Sequence, residues 1–364
     1  MRKAILSKAL GACRAKKRLL IAVLCVLIAI PTVLMPLTAV IVYESIFARR
    51  YEPLSWMTFE VADFEGLEAT RTTFVNAQGT ELVGYCYTRA ELAPCGVVVI
   101  AHGMGGGGQN AYLPFADAFT KQGFAVFAYD ATGNGESPGR AVRGLPQGVA
   151  DLDAALAHVK ALPQYKELPL LLFGHSWGAY AAGSVLAWHP DVRAAVLVSG
   201  FDRSRDMLLY QSSTYVGFLA EPTLPYVTAY ERLKFGTYAT ASVTKGIQSS
   251  QAHVLVVHGR DDVTVPPTYG YDRYYEAFSN EERVAFLAYD GRGHDDLLYS
   301  QASGAYRAQL NAAYAAHVQA NGGTSNAAIK EAFMEEHLDL VQCFEPDPAL
   351  LAEIVATYRA AVGA

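Results

Sequence analysis

The chain has 364 residues, 52% of them hydrophobic and only 18% charged. That balance supplies ample apolar surface for a core and excludes a disordered chain. With 31 glycines and 16 prolines, collagen-like and low-complexity architectures are excluded too. At about 150 residues per domain, the length fits two to three units or one large α/β domain with additions. The net charge of −6 is unevenly spread. Residues 1–50 carry nine Lys/Arg and a single acid, Glu44, which leaves a body of 20 bases against 34 acids. An acidic body repels phosphate backbones and argues against nucleic-acid binding.

Leu19 to Tyr43 is a run of 25 residues without a charge. As a helix it spans about 37 Å, enough to cross a hydrocarbon core of about 30 Å. Pro31 and Pro36 would kink it, which membrane helices tolerate. Arg2, Lys3, Lys8, Arg14, Lys16, Lys17 and Arg18 precede it. The positive-inside rule then predicts a basic cytoplasmic segment over 1–18, a single transmembrane helix over 19–43 and an extracytoplasmic body. A cleaved signal peptide is the alternative, but its apolar stretch would be about 7–15 residues, followed by a small-residue cleavage site. Of the five cysteines, Cys13 and Cys25 lie before or inside the anchor. Cys86 and Cys95 suit either a bridge in an oxidising compartment or free thiols. Neither these nor Cys343 stands in metal-ligand spacing.

Residues 44–65 read as a juxtamembrane connector. Thr72–Val75 and Glu81–Tyr87, joined through Asn76-Ala77-Gln78-Gly79, predict a β-hairpin. Apolar strands at Val97–Ala101, Ala125–Tyr129, Pro169–Phe173, Ala194–Val198, Val254–Val257 and Val284–Ala288 then alternate with helical stretches at Ala111–Gln122, Gly148–Ala161 and Gly178–Trp188. This pattern predicts a doubly wound, mostly parallel sheet covered on both faces. Its two parts are 66–200 and 253–320. Residues 201–252 separate two strands by far more than an ordinary connection. Rich in tyrosine, they read as a mostly helical cap or lid insertion. Residues 321–364 read as a C-terminal helical extension, with helices near 326–342 and 347–361.

In open parallel sheets ligands bind beyond the carboxyl ends of the strands, so the residues following each strand carry the chemistry. After Pro169–Phe173 comes Gly174-His175-Ser176-Trp177-Gly178, the G-x-S-x-G pattern of a sharp strand-to-helix turn that exposes a serine hydroxyl. The Trp177 N–H at the helix start suits an oxyanion donor. After Val97–Ala101 comes His102-Gly103-Met104-Gly105, where the Met104 N–H suits the second donor. Gly103, Gly105 and Gly108, with Asp130 ending the next strand, also match the dinucleotide-binding fingerprint, so a cofactor site is the rival for this loop. After Val254–Val257, Asp261 and Asp262 compete to be the acid that orients a general base. After Val284–Ala288, His294 stands in a glycine-rich turn and is the candidate base. The order Ser176, Asp262, His294 is the Ser…Asp…His order of the α/β-hydrolase arrangement. With a nucleophile, base and acid in place, no cofactor or metal is expected.

Residues 70–320 resemble an α/β-hydrolase of the serine aminopeptidase and monoglyceride-lipase-like branch. The resemblance rests on His102-Gly103-Met104-Gly105, Asp130 to Ser137, Gly174 to Gly178, the Gly259…Asp262…Val265-Pro266 segment and Gly293-His294. It implies Asp262 rather than Asp261 as the acid, three residues after the glycine of its segment. It also implies a structural role for the Asp130 loop, whose usual Arg-Gly-His-Gly is replaced here by Ala131-Thr132-Gly133-Asn134-Gly135. The anchor, the connector and the C-terminal extension lie outside it. The expected activity is a membrane-anchored serine hydrolase that cleaves carboxylic esters, including esters of lipid or other apolar acyl groups, with His102, Tyr210 and Tyr215 as pocket residues. A serine aminopeptidase with Glu221 or Glu231 as the amine anchor, an acyltransferase and a non-catalytic binding module are the alternatives.

Overall fold

The computed structural model describes residues 2–363; Met1 and Ala364, the outermost residues of the basic segment and of the C-terminal extension, lie outside the described residues. The chain opens with α1 (Arg2–Ala29), one π-helical turn at Ile30–Leu34 around Pro31, and α2 (Met35–Phe47). Within this run, Cys13–Phe47 is long and apolar enough to cross a membrane. The body follows as β1 (Glu68–Val75), β2 (Glu81–Thr88), β3 (Val97–Ala101), α3 (Leu113–Lys121), β4 (Ala125–Tyr129), α4 (Pro146–Ala161), β5 (Leu170–His175), α5 (Trp177–Val185) and β6 (Val192–Val198). The expected cap holds α6 (Ser204–Val216), α7 (Ala220–Phe235) and α8 (Val243–Ser249). The chain then returns through β7 (His253–Gly259), α9 (Tyr271–Phe278), β8 (Val284–Tyr289) and α10 (Gln301–Ala320) to α11 (Ala327–His337), α12 (Leu340–Cys343) and α13 (Pro348–Val362).

The strands form one eight-stranded sheet in the order β1-β2-β4-β3-β5-β6-β7-β8. The first hairpin is antiparallel, as is its join to β4; every later pairing is parallel. Alternation along each strand divides the core in two. Val97, Val99, Leu172, Leu197 and Val256 face α4, α5, α8 and α9, whereas Val98, Ile100, Phe173, Val198 and Val257 face α3 and α13. Because both faces are covered, β3, β4 and β5 are apolar and buried along their whole length.

Two expectations about boundaries change. Residues 321–364 are not simply an extension. Leu350, Ile354, Val355 and Tyr358 of α13 are buried in the second core layer, and the Tyr358 hydroxyl donates to the Leu172 carbonyl of β5 (2.8 Å). The sheet face over β5–β7 would otherwise lie bare, and α13 brings an apolar stripe of matching width. At the other end, Ala39, Tyr43 and Phe47, spaced by four along one face of α2, are buried against the body. The last turns of the apolar helix therefore belong to the core rather than to a free-standing span. The five cysteines are free thiols.

If α13 is core, Ile354→Ala lowers the unfolding free energy by about 2–5 kcal/mol in a denaturant titration. An appended helix would show close to no change.

Candidate active site

Glycines at two turns let three strand ends close on one point. A Cβ on Gly178 would collide with the Ala101 and His102 carbonyls, and one on Gly174 would strike the Gly178 backbone, so β5, α5 and the end of β3 approach more closely than any side chain allows. Between these glycines Ser176 is held at φ 55°, a left-handed conformation disfavoured for a residue with a side chain. Its N–H donates to Val198 O (2.8 Å), which fixes the turn to the end of β6. Likewise a Cβ on Gly259 would collide with the Arg292 carbonyl, so the end of β7 lies directly against the turn that carries His294.

This closure brings Ser176, His294 and Asp262 into one line. The Ser176 hydroxyl lies 2.8 Å from His294 Nε2, and His294 Nδ1 lies 2.7 Å from Asp262 Oδ2. The other Asp262 oxygen accepts the N–H groups of Thr264 and Val265, each at 2.9 Å. Burial alone would raise the Asp262 pKa. The hydrogen bonds from His258, His294 and Val265 outweigh it and hold the carboxyl well below the ordinary range. Asp262 thus stays ionised opposite His294, the state that orients an imidazole and stabilises its protonated form. Asp261 is placed elsewhere. Its carboxylate accepts the Gly291 N–H (2.7 Å) and pins the histidine turn from outside.

Trp177 is the first residue of α5, so its N–H has no acceptor within its own helix. Its indole donates to Leu145 O (2.7 Å), which locks the side chain away from the hydroxyl. Met104 lies in the turn after β3, and among the described residues its N–H donates to no acceptor. The two expected oxyanion donors therefore flank the turn that carries Ser176, both uncommitted.

The pocket trio does not converge. His102 is buried with both ring nitrogens used, Nδ1 donating to Gly103 O (2.7 Å) and Nε2 accepting the Ala131 N–H (2.9 Å). It ties two loops together and has no face left for a ligand. Tyr210 donates to Val263 O (2.9 Å), beside the acid, while Tyr215 stands 85% exposed at the end of α6. The glycine-rich loop does not offer a ribose site either. Asp130 is buried, its oxygens accept the N–H groups of Gln109 and Glu136 (2.8 Å each), and its carboxylate fills the space beside Gly108 and Gly135. The Asp130 loop instead fastens the Met104 turn to residues 131–137.

Four supporting residues carry no pattern of their own. Tyr112 accepts the Gly103 N–H (2.9 Å) and lies 2.8 Å from His175 Nδ1, while the His175 Nε2 and Ser199 Oγ groups approach the His294 carbonyl at 3.3 and 3.0 Å. Burial, helped by the nearby His294, pushes the His175 pKa down to about 4, so its ring is neutral above that. His258 Nε2 sits 2.8 Å from Val265 O and 3.4 Å from Asp262 Oδ2, bracing the acid. One inside G-x-S-x-G and one beside Gly259, both histidines were visible as letters, but only coordinates show which atoms they face. Among the described residues His175, His294 and Asp295 place ligand-type atoms within 4.8 Å of one another. His294 Nε2 is already taken by Ser176, and His175 Nε2, the nitrogen nearest Asp295, lies against the His294 carbonyl, so a cation there would displace existing contacts.

A doubly wound sheet with a serine at the turn after β5, an acid after β7 and a histidine after β8 is the α/β-hydrolase fold. The model of the family described as "Serine aminopeptidase, S33" matches residues 93–235, which bears out the expected likeness over that stretch. The chain is 38% identical over 85 residues to caffeoylshikimate esterase of Arabidopsis thaliana, and 30% identical over 118 residues to the quorum-quenching protein AidA of Acinetobacter baumannii. Those matches cover 23% and 32% of this chain, but only 26% and 38% of the two relatives. An esterase from Pyrococcus furiosus superposes with a TM-score of 0.52 at 18% identity, over 74% of this chain and 98% of that one. A hypothetical protein from Pseudomonas aeruginosa gives 0.51 at 17%, over 80% and 99%.

The two neighbouring aspartates separate cleanly in a labelling experiment. Asp262→Asn slows phosphonylation of Ser176 by a fluorophosphonate by about 10⁴-fold. Asp261→Asn, whose partner is a backbone N–H outside the line, leaves the rate within about threefold of wild type.

Proposed function

We propose that the protein is a serine hydrolase that cleaves carboxylic esters through an acyl-enzyme. The observation that carries this reading is the unbroken line from the Ser176 hydroxyl through His294 to the ionised Asp262. His294 removes the Ser176 proton as the oxygen attacks the ester carbonyl, and the Met104 and Trp177 N–H groups hold the oxyanion. The protonated imidazole then gives its proton to the leaving alcohol. Water, deprotonated by the same imidazole, releases the acid. The two esterases among the relatives and structural neighbours support the ester bond as the target.

The aminopeptidase reading draws on the description of the matching family. It needs an acid free to bind a substrate amine. Glu231 is buried and committed to the hydroxyls of Tyr43 and Ser204, which leaves Glu221, on an open groove of about 680 Å³ between α6 and α7. That groove is lined by Arg205 and Arg232 as well as by Leu209, Leu224, Pro225 and Leu233, and the residues around Ser176 are not part of its lining, so it offers no acid beside the serine. Lipid or other apolar acyl esters remain our proposed substrate class, on the tyrosine-rich cap of α6 and α7, whose rings add apolar contact area.

We read the chain as a single-pass membrane protein, N-terminus cytoplasmic and body outside, on the basic residues that precede the apolar helix. With Ala39 onward docked on the body, residues 19–38 remain for the bilayer, about 30 Å of helix, which matches a hydrocarbon core without excess.

Ser176→Ala abolishes turnover of short acyl esters and labelling by a fluorophosphonate. Wild type hydrolyses acyl esters faster than aminoacyl anilides. Anilide turnover matching or exceeding ester turnover would reverse the choice between the two readings.

A further inference from the structure

The apolar helix does not end in a loose tether. Its last turns meet three supports of the candidate active site, and Tyr43 stands where they join. The Tyr43 hydroxyl donates to Glu231 Oε1 of α7 (2.9 Å), and the same oxygen accepts the Ser204 hydroxyl at the start of α6 (2.7 Å). One carboxylate thus joins α2 to both long helices of the cap. It is 1% exposed, and burial holds its pKa up at about 7 against the lowering pull of the two hydroxyls and Lys234. The next residue, Glu44, pairs with Lys234 and accepts the Tyr230 hydroxyl, so α2 grips α7 at two points.

Tyr43 also fills the space beside Gly144, where a Cβ would collide with its hydroxyl and with the Phe235 ring. The next residue is Leu145, whose carbonyl holds the Trp177 indole, and Gly148 packs directly under that indole. Trp177 supplies one of the two oxyanion donors. The chain beyond α2 continues the same contact. Arg49 O accepts the Val142 N–H (3.2 Å), Tyr51 exchanges backbone hydrogen bonds with Gly133 and Gly135 (3.0 Å each), and the Tyr51 ring lies against Gly105 of the Met104 turn.

We propose that Tyr43 is a positioning residue of the catalytic site: by docking on Glu231 and Gly144, it makes the end of the apolar helix hold the cap and the Trp177 support in place over Ser176. The helix then serves catalysis directly, apart from any role in attaching the protein to a bilayer. This rests on the esterase reading of Ser176.

The test uses the full chain in detergent micelles with water-soluble p-nitrophenyl acetate and octanoate, so that attachment to a membrane plays no part. Fluorophosphonate titration of Ser176 counts active sites in each preparation, and rate constants are expressed per labelled site. Tyr43→Phe, which keeps the ring and removes the donor, lowers kcat/KM per labelled site roughly tenfold, the upper end of the scale of one lost hydrogen bond. The loss is larger for octanoate, the ester that reaches the cap, and for that ester it falls mainly on KM. Glu231→Leu gives the same pattern, Glu231→Gln, which keeps an acceptor for both hydroxyls, recovers most of the rate, and Tyr43→Phe combined with Glu231→Leu is no worse than the worse single variant. A residue with a merely structural role would reduce the number of labelled sites and leave the constants per site untouched. Constants per site equal to wild type in both Tyr43→Phe and Glu231→Leu overturn the proposal. A wild-type chain that is neither labelled at Ser176 nor active on either ester overturns the esterase reading itself, and the positioning role with it.

Discussion

The structure depends on backbones meeting where side chains would keep them apart. Gly174 and Gly178 let α5 start against the end of β3, and Gly259 lets the end of β7 touch the turn after β8. Ser176 and His294 are 118 residues apart in the chain and His294 and Asp262 32, yet the three lie in one hydrogen-bonded line because those approaches are permitted. The cost is the left-handed backbone of Ser176, a strain of order 1–3 kcal/mol that only a well-packed surround maintains. That surround is the buried sheet and the helices on its two faces.

Around the line, buried polar groups fix loops rather than bind ligands. Asp130 accepts from both the Gln109 and Glu136 amides, and His102 joins Gly103 to Ala131. A low dielectric makes each such bond strong once satisfied and expensive if broken. The Met104 turn, a long glycine-rich loop, is held in this way from both sides. The loops that carry the two candidate oxyanion donors, Met104 and Trp177, are thereby held by the fold itself.

Much of this was legible in the sequence because it is local. G-x-S-x-G, the apolar strands and the glycines beside Asp262 and His294 each report a backbone requirement within a few residues, and such requirements leave fixed spacings. The doubly wound, mostly parallel sheet followed from the alternation of strands and helices, whereas the order of its strands did not. What could not be read depends on partners distant in the chain. The stripe of α13 is an ordinary amphipathic pattern that says nothing about which surface it covers. Tyr43 looked like the last apolar residue of a span, and Glu231 like a candidate amine anchor in the cap; each makes sense only beside the other, 188 positions away. His102 was misjudged for the same reason. Its place beside the oxyanion turn suggested a ligand contact, but its two nitrogens close a loop. The choice between Asp261 and Asp262 also turned on which of two adjacent carboxylates the backbone aims inward.

The central claim is that Ser176 attacks a carbonyl whose oxygen settles between the Met104 and Trp177 N–H groups. A crystal structure of the fluorophosphonate adduct tests it most directly. The account predicts a phosphorus bonded to Ser176 Oγ, with the phosphoryl oxygen about 2.7–3.1 Å from both N–H groups. A phosphonyl group on another side chain, or an oxygen turned away from both donors, would contradict it.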